Sequence, residues 1–92
     1  MFYYVYVLQS IKDNNLYVGY TSDLKKRLSE HNRRINFSTK SYAPWRLIHF
    51  EAYLNQDDAK RRERYFKTNQ GSRVIKRLLR NYFYIQKQEI EK

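Results

Sequence analysis

Tyr4-Val5-Tyr6 and Tyr17-Val18-Gly19 stand ten residues apart on either side of a polar run, and this pair limits the chain's fold more than any other feature. Phe2 to Leu8 is rich in aromatic and β-branched residues, Lys12-Asp13-Asn14-Asn15 supplies turn chemistry, and Leu16 to Tyr20 returns to strand-type residues. Two strands therefore pair antiparallel. Side chains alternate faces along a strand, so any register with an odd index sum sets Tyr6 and Tyr17 on the same side of the sheet. A slip by one residue would turn every side chain over, and the odd register is the expectation. Gly19 leaves open backbone beside Tyr17, suited to a bulge or to the close approach of another group.

The hairpin leads directly into a helix. Thr21-Ser22-Asp23 offers oxygen-bearing side chains to the free amides of a first turn, and Leu24 and Leu28 mark the buried stripe that follows. Arg27 and His31 are four apart, next to that stripe, and can point toward the sheet. A cation and an imidazole thus follow two tyrosines of one parity, which is the composition of a site as well as of a core.

Ninety-two residues make one domain with a modest core, since a chain this size buries roughly 60–65% of its unfolded surface. There is no cysteine, so disulfides and thiolate metal sites are excluded. No stretch approaches membrane-spanning length, and the N-terminus lacks a basic segment followed by a long apolar run. A cytoplasmic protein with no membrane partner is the expectation. The net charge of +10 attracts polyanions, and ten tyrosines and five phenylalanines interleaved with the cations suit stacking on bases and sugars. A solvated basic surface over an aromatic core is the blander alternative.

Asn32 to Pro44 is a polar connection carrying Arg33, Arg34, Ser38, Thr39, Lys40 and Ser41, the residue types of a phosphate-contacting arm or of a plain linker. Trp45 to Leu54 reads as a third strand. His49 and Glu51 share a parity on it and are expected to be structural, not catalytic. Asn55-Gln56-Asp57-Asp58 opens a second helix, on which Ala59, Arg62, Glu63 and Phe66 fall on one face. An inward carboxylate at Glu63 needs either a pair with Arg62, Arg64 or Lys67, or a bound cation. Asn69-Gln70-Gly71 is expected to end that helix and Ser72 to begin a third, with Val74, Ile75, Leu78, Leu79, Tyr82 and Phe83 in helical rhythm. The expected fold is α+β: a small three-stranded antiparallel or mixed sheet flanked by about three helices, one domain over residues 1–84, and a polar tail over 85–92.

The two tripeptides, followed by Thr21, Leu24, Arg27 and His31, resemble the GIY-YIG nuclease family, and in particular its small single-domain bacterial members, which resemble the catalytic part of the excision-repair nuclease subunit. Tyr4 stands where the eponymous glycine would be. The resemblance implies a metal-dependent endonuclease hydrolysing phosphodiester bonds in DNA, branched or damaged DNA included. It implies that Glu63, in the run Arg62-Glu63-Arg64-Tyr65-Phe66-Lys67, holds Mg2+ or Mn2+, and that Tyr6 or Tyr17 activates or positions water. Arg27 has the fork geometry for phosphate oxygens. His31 is expected to bond a tyrosine or the phosphate, and Asn69 to lie near the metal. Lys26, Arg33, Arg34, Lys40, Lys67 and Asn69 are the expected nucleic-acid contacts. The alternative is a nucleic-acid-binding module on the same scaffold without useful turnover.

Overall fold

In a computed structural model that describes residues 1–35 and 39–91, β1 (Tyr3–Ser10) is the middle strand of an antiparallel sheet in the order β2-β1-β3, with β2 at Leu16–Thr21 and β3 at Trp45–Tyr53. Flanked on both sides, β1 is buried from Val5 to Ser10. Ser10 makes the turn into β2: its Oγ accepts from the amides of Lys12 and Asp13, at 3.1 and 3.3 Å, and Asn14 takes the left-handed conformation at φ 64° that asparagine tolerates. Tyr6 pairs with Gly19 and Leu8 with Tyr17, so the register is the odd one and both tyrosines share a face.

Each face of the sheet carries its own cluster. Val5 and Val7 pack with Ala59 and Phe66 of α2 (Gln56–Phe66) and Ile75 of α3 (Asn69–Leu78). On the other face Tyr6, Leu8 and Trp45 pack with Leu24 and Leu28 of α1 (Leu24–Asn32). Full burial of one such side chain stabilises the fold by about 1.5–3 kcal/mol, so dividing a small core between two faces leaves neither half dispensable.

A bulge in β3 decides which residues reach which face. Val7 lies opposite His49 but Leu8 opposite Leu47, leaving Ile48 as the extra residue. The slip turns Trp45 and Leu47 toward the tyrosines while His49 and Glu51 stay under α2. There Glu51 joins strand to helix: it accepts from Arg62 Nε at 2.9 Å and from the Tyr53 hydroxyl at 2.6 Å, and lies 3.0 Å from His49 Nε2. Burial alone would raise the Glu51 pKa, but the hydrogen bonds from Arg62, His49 and Tyr53 overcome it and hold the carboxyl down at about 2. Burial and the same carboxylate push Tyr53 up to about 12. Through these bonds Glu51 ties His49 and Tyr53 of β3 to Arg62 of α2.

Three expectations are corrected. Residues 69–71 do not end α2, which stops at Phe66; they open α3, whose N-cap is Thr68, its hydroxyl accepting from the Gly71 amide at 3.0 Å. Gly71 serves close packing instead, because a Cβ there would overlap the Tyr65 carbonyl. The expected third helix is two, broken at Leu79, and the segment expected as a polar tail continues α4 (Arg80–Glu91). Buried Gln9 of β1 ties α4 down, accepting from the Tyr82 hydroxyl at 2.5 Å and exchanging hydrogen bonds with Gln86 at 3.0 Å. Ser38 of the polar connection lies outside the described residues. Among those described, no helix is long and apolar enough to cross a membrane.

Candidate active site

α1 starts where capping chemistry allows it. Thr21 Oγ1 accepts from the Asp23 amide at 3.0 Å, and Asp23 in turn accepts from the Lys26 amide at 3.1 Å. Leu24 and Leu28 then face the sheet, and one turn further on His31 is fully buried against it.

His31 sits between two hydroxyls. Its Nε2 is 3.0 Å from the Tyr6 hydroxyl and its Nδ1 is 2.8 Å from Thr39 Oγ1. Burial and the neighbouring Arg27 charge lower the His31 pKa, so the imidazole is held neutral. A neutral ring donates through one nitrogen and accepts through the other. Tyr6 is nearly inaccessible, and its pKa is raised chiefly by burial, with Tyr17 adding to the rise, Arg27 opposing it, and the Glu63 and Glu30 carboxylates adding again. A protonated phenol beside a neutral imidazole can donate to Nε2, which places the ring proton on Nδ1 and directs it to Thr39. That is a proton path from Tyr6 inward.

Tyr17 closes the other side. Its ring centroid is 5.0 Å from that of His31, 6.4 Å from Tyr6 and 6.1 Å from Trp45. Trp45 is itself fixed by its indole N–H, which donates to the Thr39 carbonyl at 3.1 Å. A cavity of about 270 Å3 opens beside these residues, lined by Tyr17, Thr39, Tyr42 and Trp45 among others.

Arg27 and Glu63 are the charged groups of the site. The Arg27 side chain is 41% exposed and lies 3.9 Å from Glu30, a contact that leaves it available to an anion. Glu63 is 21% exposed, and its Oε2 accepts from Lys67 Nζ at 3.1 Å. Of the three partners considered for Glu63 it is Lys67 that pairs; Arg62 is taken by Glu51. Among the described residues no group of three or more His, Asp or Glu gathers to hold a metal. One half-buried carboxylate next to open solvent fits a hard divalent ion that keeps most of its waters, and does not fit a closed cage.

The structure brings Tyr6, Tyr17 and His31 into contact, with the charge of Arg27 acting on Tyr6 and His31 and that of Glu63 acting on Tyr6. Lys26, Arg33, Arg34 and Lys40 are exposed around the α1 side, Arg34 in the left-handed conformation at φ 60°. Asn69 is exposed in the first turn of α3, and none of its described contacts reaches Glu63. Sequence reasoning did not single out Thr39 or Trp45 for the site. Thr39, a hydroxyl suited by type to a phosphate-contacting arm, is instead buried and spent on His31.

A small α+β domain thus sets two phenols and an imidazole in contact on one sheet face, with a guanidinium on α1. The profile of the GIY-YIG catalytic domain covers residues 2–77, and the chain belongs to the GIY-YIG family. It is 42% identical over 80 residues to a UPF0213 protein of Pediococcus pentosaceus, covering 86% of this chain and 83% of that one. A UPF0213 protein of Listeria monocytogenes is 34% identical over 90 residues, covering 97% and 93% of the two chains. Among solved structures, the solution NMR structure of a UPF0213 protein from Bacillus halodurans superposes with a TM-score of 0.53 at 30% identity, covering 85% of each chain.

Proposed function

We propose that this protein is a metal-dependent endonuclease that hydrolyses phosphodiester bonds in DNA. The observation that carries the reading is the buried Tyr6–His31–Thr39 chain, with the Arg27 charge acting on both Tyr6 and His31, because a hydrolysing site needs a proton acceptor and a cation near one phosphate. Arg27 holds non-bridging oxygens and meets the charge that grows in the transition state. Tyr6 orients the attacking water and passes a proton to His31 Nε2; with its pKa raised, it acts as a relay and not as a standing phenolate. Tyr17 walls the site and orients the substrate. Glu63 would hold Mg2+ or Mn2+, which supplies Lewis-acid neutralisation of the phosphate. For that, Lys67 must turn away, and an exposed i,i+4 ion pair costs only about 0.3–0.5 kcal/mol to open.

The Glu63–Lys67 pair also favours a second reading, a nucleic-acid-binding module without turnover, in which Glu63 is already satisfied. Single-turnover cleavage of branched, nicked and single-stranded DNA, with and without Mg2+, separates the two. Magnesium-dependent products are expected; tight binding with no product on any substrate would establish the second reading.

A further inference from the structure

On the opposite face of the sheet from Tyr6 and His31, a groove of about 530 Å3 runs between α2 and α3, lined by Tyr65, Gln70, Arg73, Lys76 and Arg77. All three cations are exposed, and among the described residues none has a carboxylate within 4 Å. They fall at i, i+3 and i+4 of one helix, so they repel one another; like charges at this spacing destabilise an isolated helix by tenths of a kcal/mol. Proximity to the negative end of the α3 dipole offsets this for Lys76 and Arg77 in the last turn. It does not account for Arg73, nor for the position of all three along a groove with one aromatic wall.

We propose that this groove is a second nucleic-acid site, which holds the phosphate backbone of a segment other than the one at Tyr6 and Arg27. Three unpaired cations match successive phosphates, Gln70 supplies an uncharged donor, and Tyr65 gives a ring against which a sugar or base can rest. Tyr6, His31 and α1 lie across the sheet from the groove, and of the candidate site only Glu63 shares α2 with the Tyr65 wall, so one chain can hold two duplex segments at once. The inference rests on the nucleic-acid part of the proposed function, not on its chemistry.

The test is bridging. A duplex is immobilised, loaded with the Arg27→Ala protein so that nothing is cut, washed, and offered a second, fluorescent duplex over a range of salt. The expected result is capture of the second duplex, with a log–log salt slope that becomes shallower by about 2 to 3 when Arg73, Lys76 and Arg77 are all changed to Gln, in line with roughly 0.9 per lost phosphate contact. The double change Arg73→Gln, Arg77→Gln is expected to fall between. Gln matches Lys and Arg in helix propensity, so melting should hold or rise as repulsion is relieved. No capture by the parent protein, or equal capture by the triple variant, overturns the proposal. So does a triple variant that melts earlier and captures normally, since the cations would then serve α3 alone. Capture that depends on the groove in a protein whose wild type cuts no substrate removes the endonuclease and leaves the second site standing.

Discussion

The phenol ring of Tyr6 lies across Gly19, its partner on β2, and occupies the space that a Cβ at Gly19 would need. Glycine is therefore there for close approach and not for a bulge. Changing Gly19 to Ala forces apart two groups that have no slack, because Tyr6 is held at its far end by His31. A loss of about 1–3 kcal/mol is expected, read as a melting temperature lower by roughly 4–8 °C per kcal/mol. Cleavage should fall further than stability does, since the Tyr6 hydroxyl is what moves. An unchanged melting curve would mean that the ring can retreat freely.

Thr39 holds the second nitrogen of a buried imidazole. Thr39→Val keeps the shape and leaves His31 Nδ1 without that partner, at a cost of about 1–3 kcal/mol in urea unfolding. Thr39→Ser should restore most of it. The nitrogen shifts of His31 in NMR would report the tautomer, which is expected to be single in the parent and mixed in the Val variant.

Acid should lower the stability of the fold in two stages. Unfolded His31 takes up a proton near pH 6.5 while the folded ring resists, so below that value the unfolded state binds more protons and stability falls. Unfolded Glu51 protonates near 4.5 but the folded carboxyl only near 2, so its contribution is complete above 4.5 and disappears between those values. The second stage is worth roughly 3 kcal/mol at 1.36 kcal/mol per unit. Urea unfolding at steps from pH 8 to pH 2 measures both, and Glu51→Gln should flatten the lower stage.

Arg27→Ala is expected to lower single-turnover cleavage by orders of magnitude while weakening DNA binding only a few-fold, since at a net charge of +10 many other cations remain for the backbone. Filter binding beside single-turnover rates gives both numbers. Equal losses would make Arg27 an ordinary phosphate anchor.

Glu63→Gln separates metal ligand from scaffold. The exposed partner Lys67 limits the structural cost to about 0.5 kcal/mol, so the melting temperature should hardly move while magnesium-dependent cleavage collapses. Calorimetric titration with Mg2+ and an uncleavable duplex is expected to lose its signal. Cleavage that survives in the variant would take the metal away from Glu63.

What could be read from the sequence is what depends on local geometry. The shared face of Tyr6 and Tyr17 follows from the two-residue period of a strand once the hairpin pairs in an odd register. The adjacency of Arg27 and His31 follows from helical spacing, and the start of α1 from oxygens within a few residues of free amides. Segments far apart in the chain decided the rest. Thr39 meets His31 across elements, its carbonyl held by the Trp45 indole, and Trp45 faces Tyr17 only because one extra residue at Ile48 turns the end of β3 over. Gly71 has the same origin: its partner is the Tyr65 carbonyl at the end of the preceding helix, a contact set by how α3 packs on α2. Glu63 pairs with Lys67 by plain i,i+4 spacing, whereas the bond from Arg62 to Glu51 joins α2 to β3 and is set by packing. The sequence determines where each side chain points along its own strand or helix; which groups meet across elements depends on register and packing, which only the tertiary structure supplies.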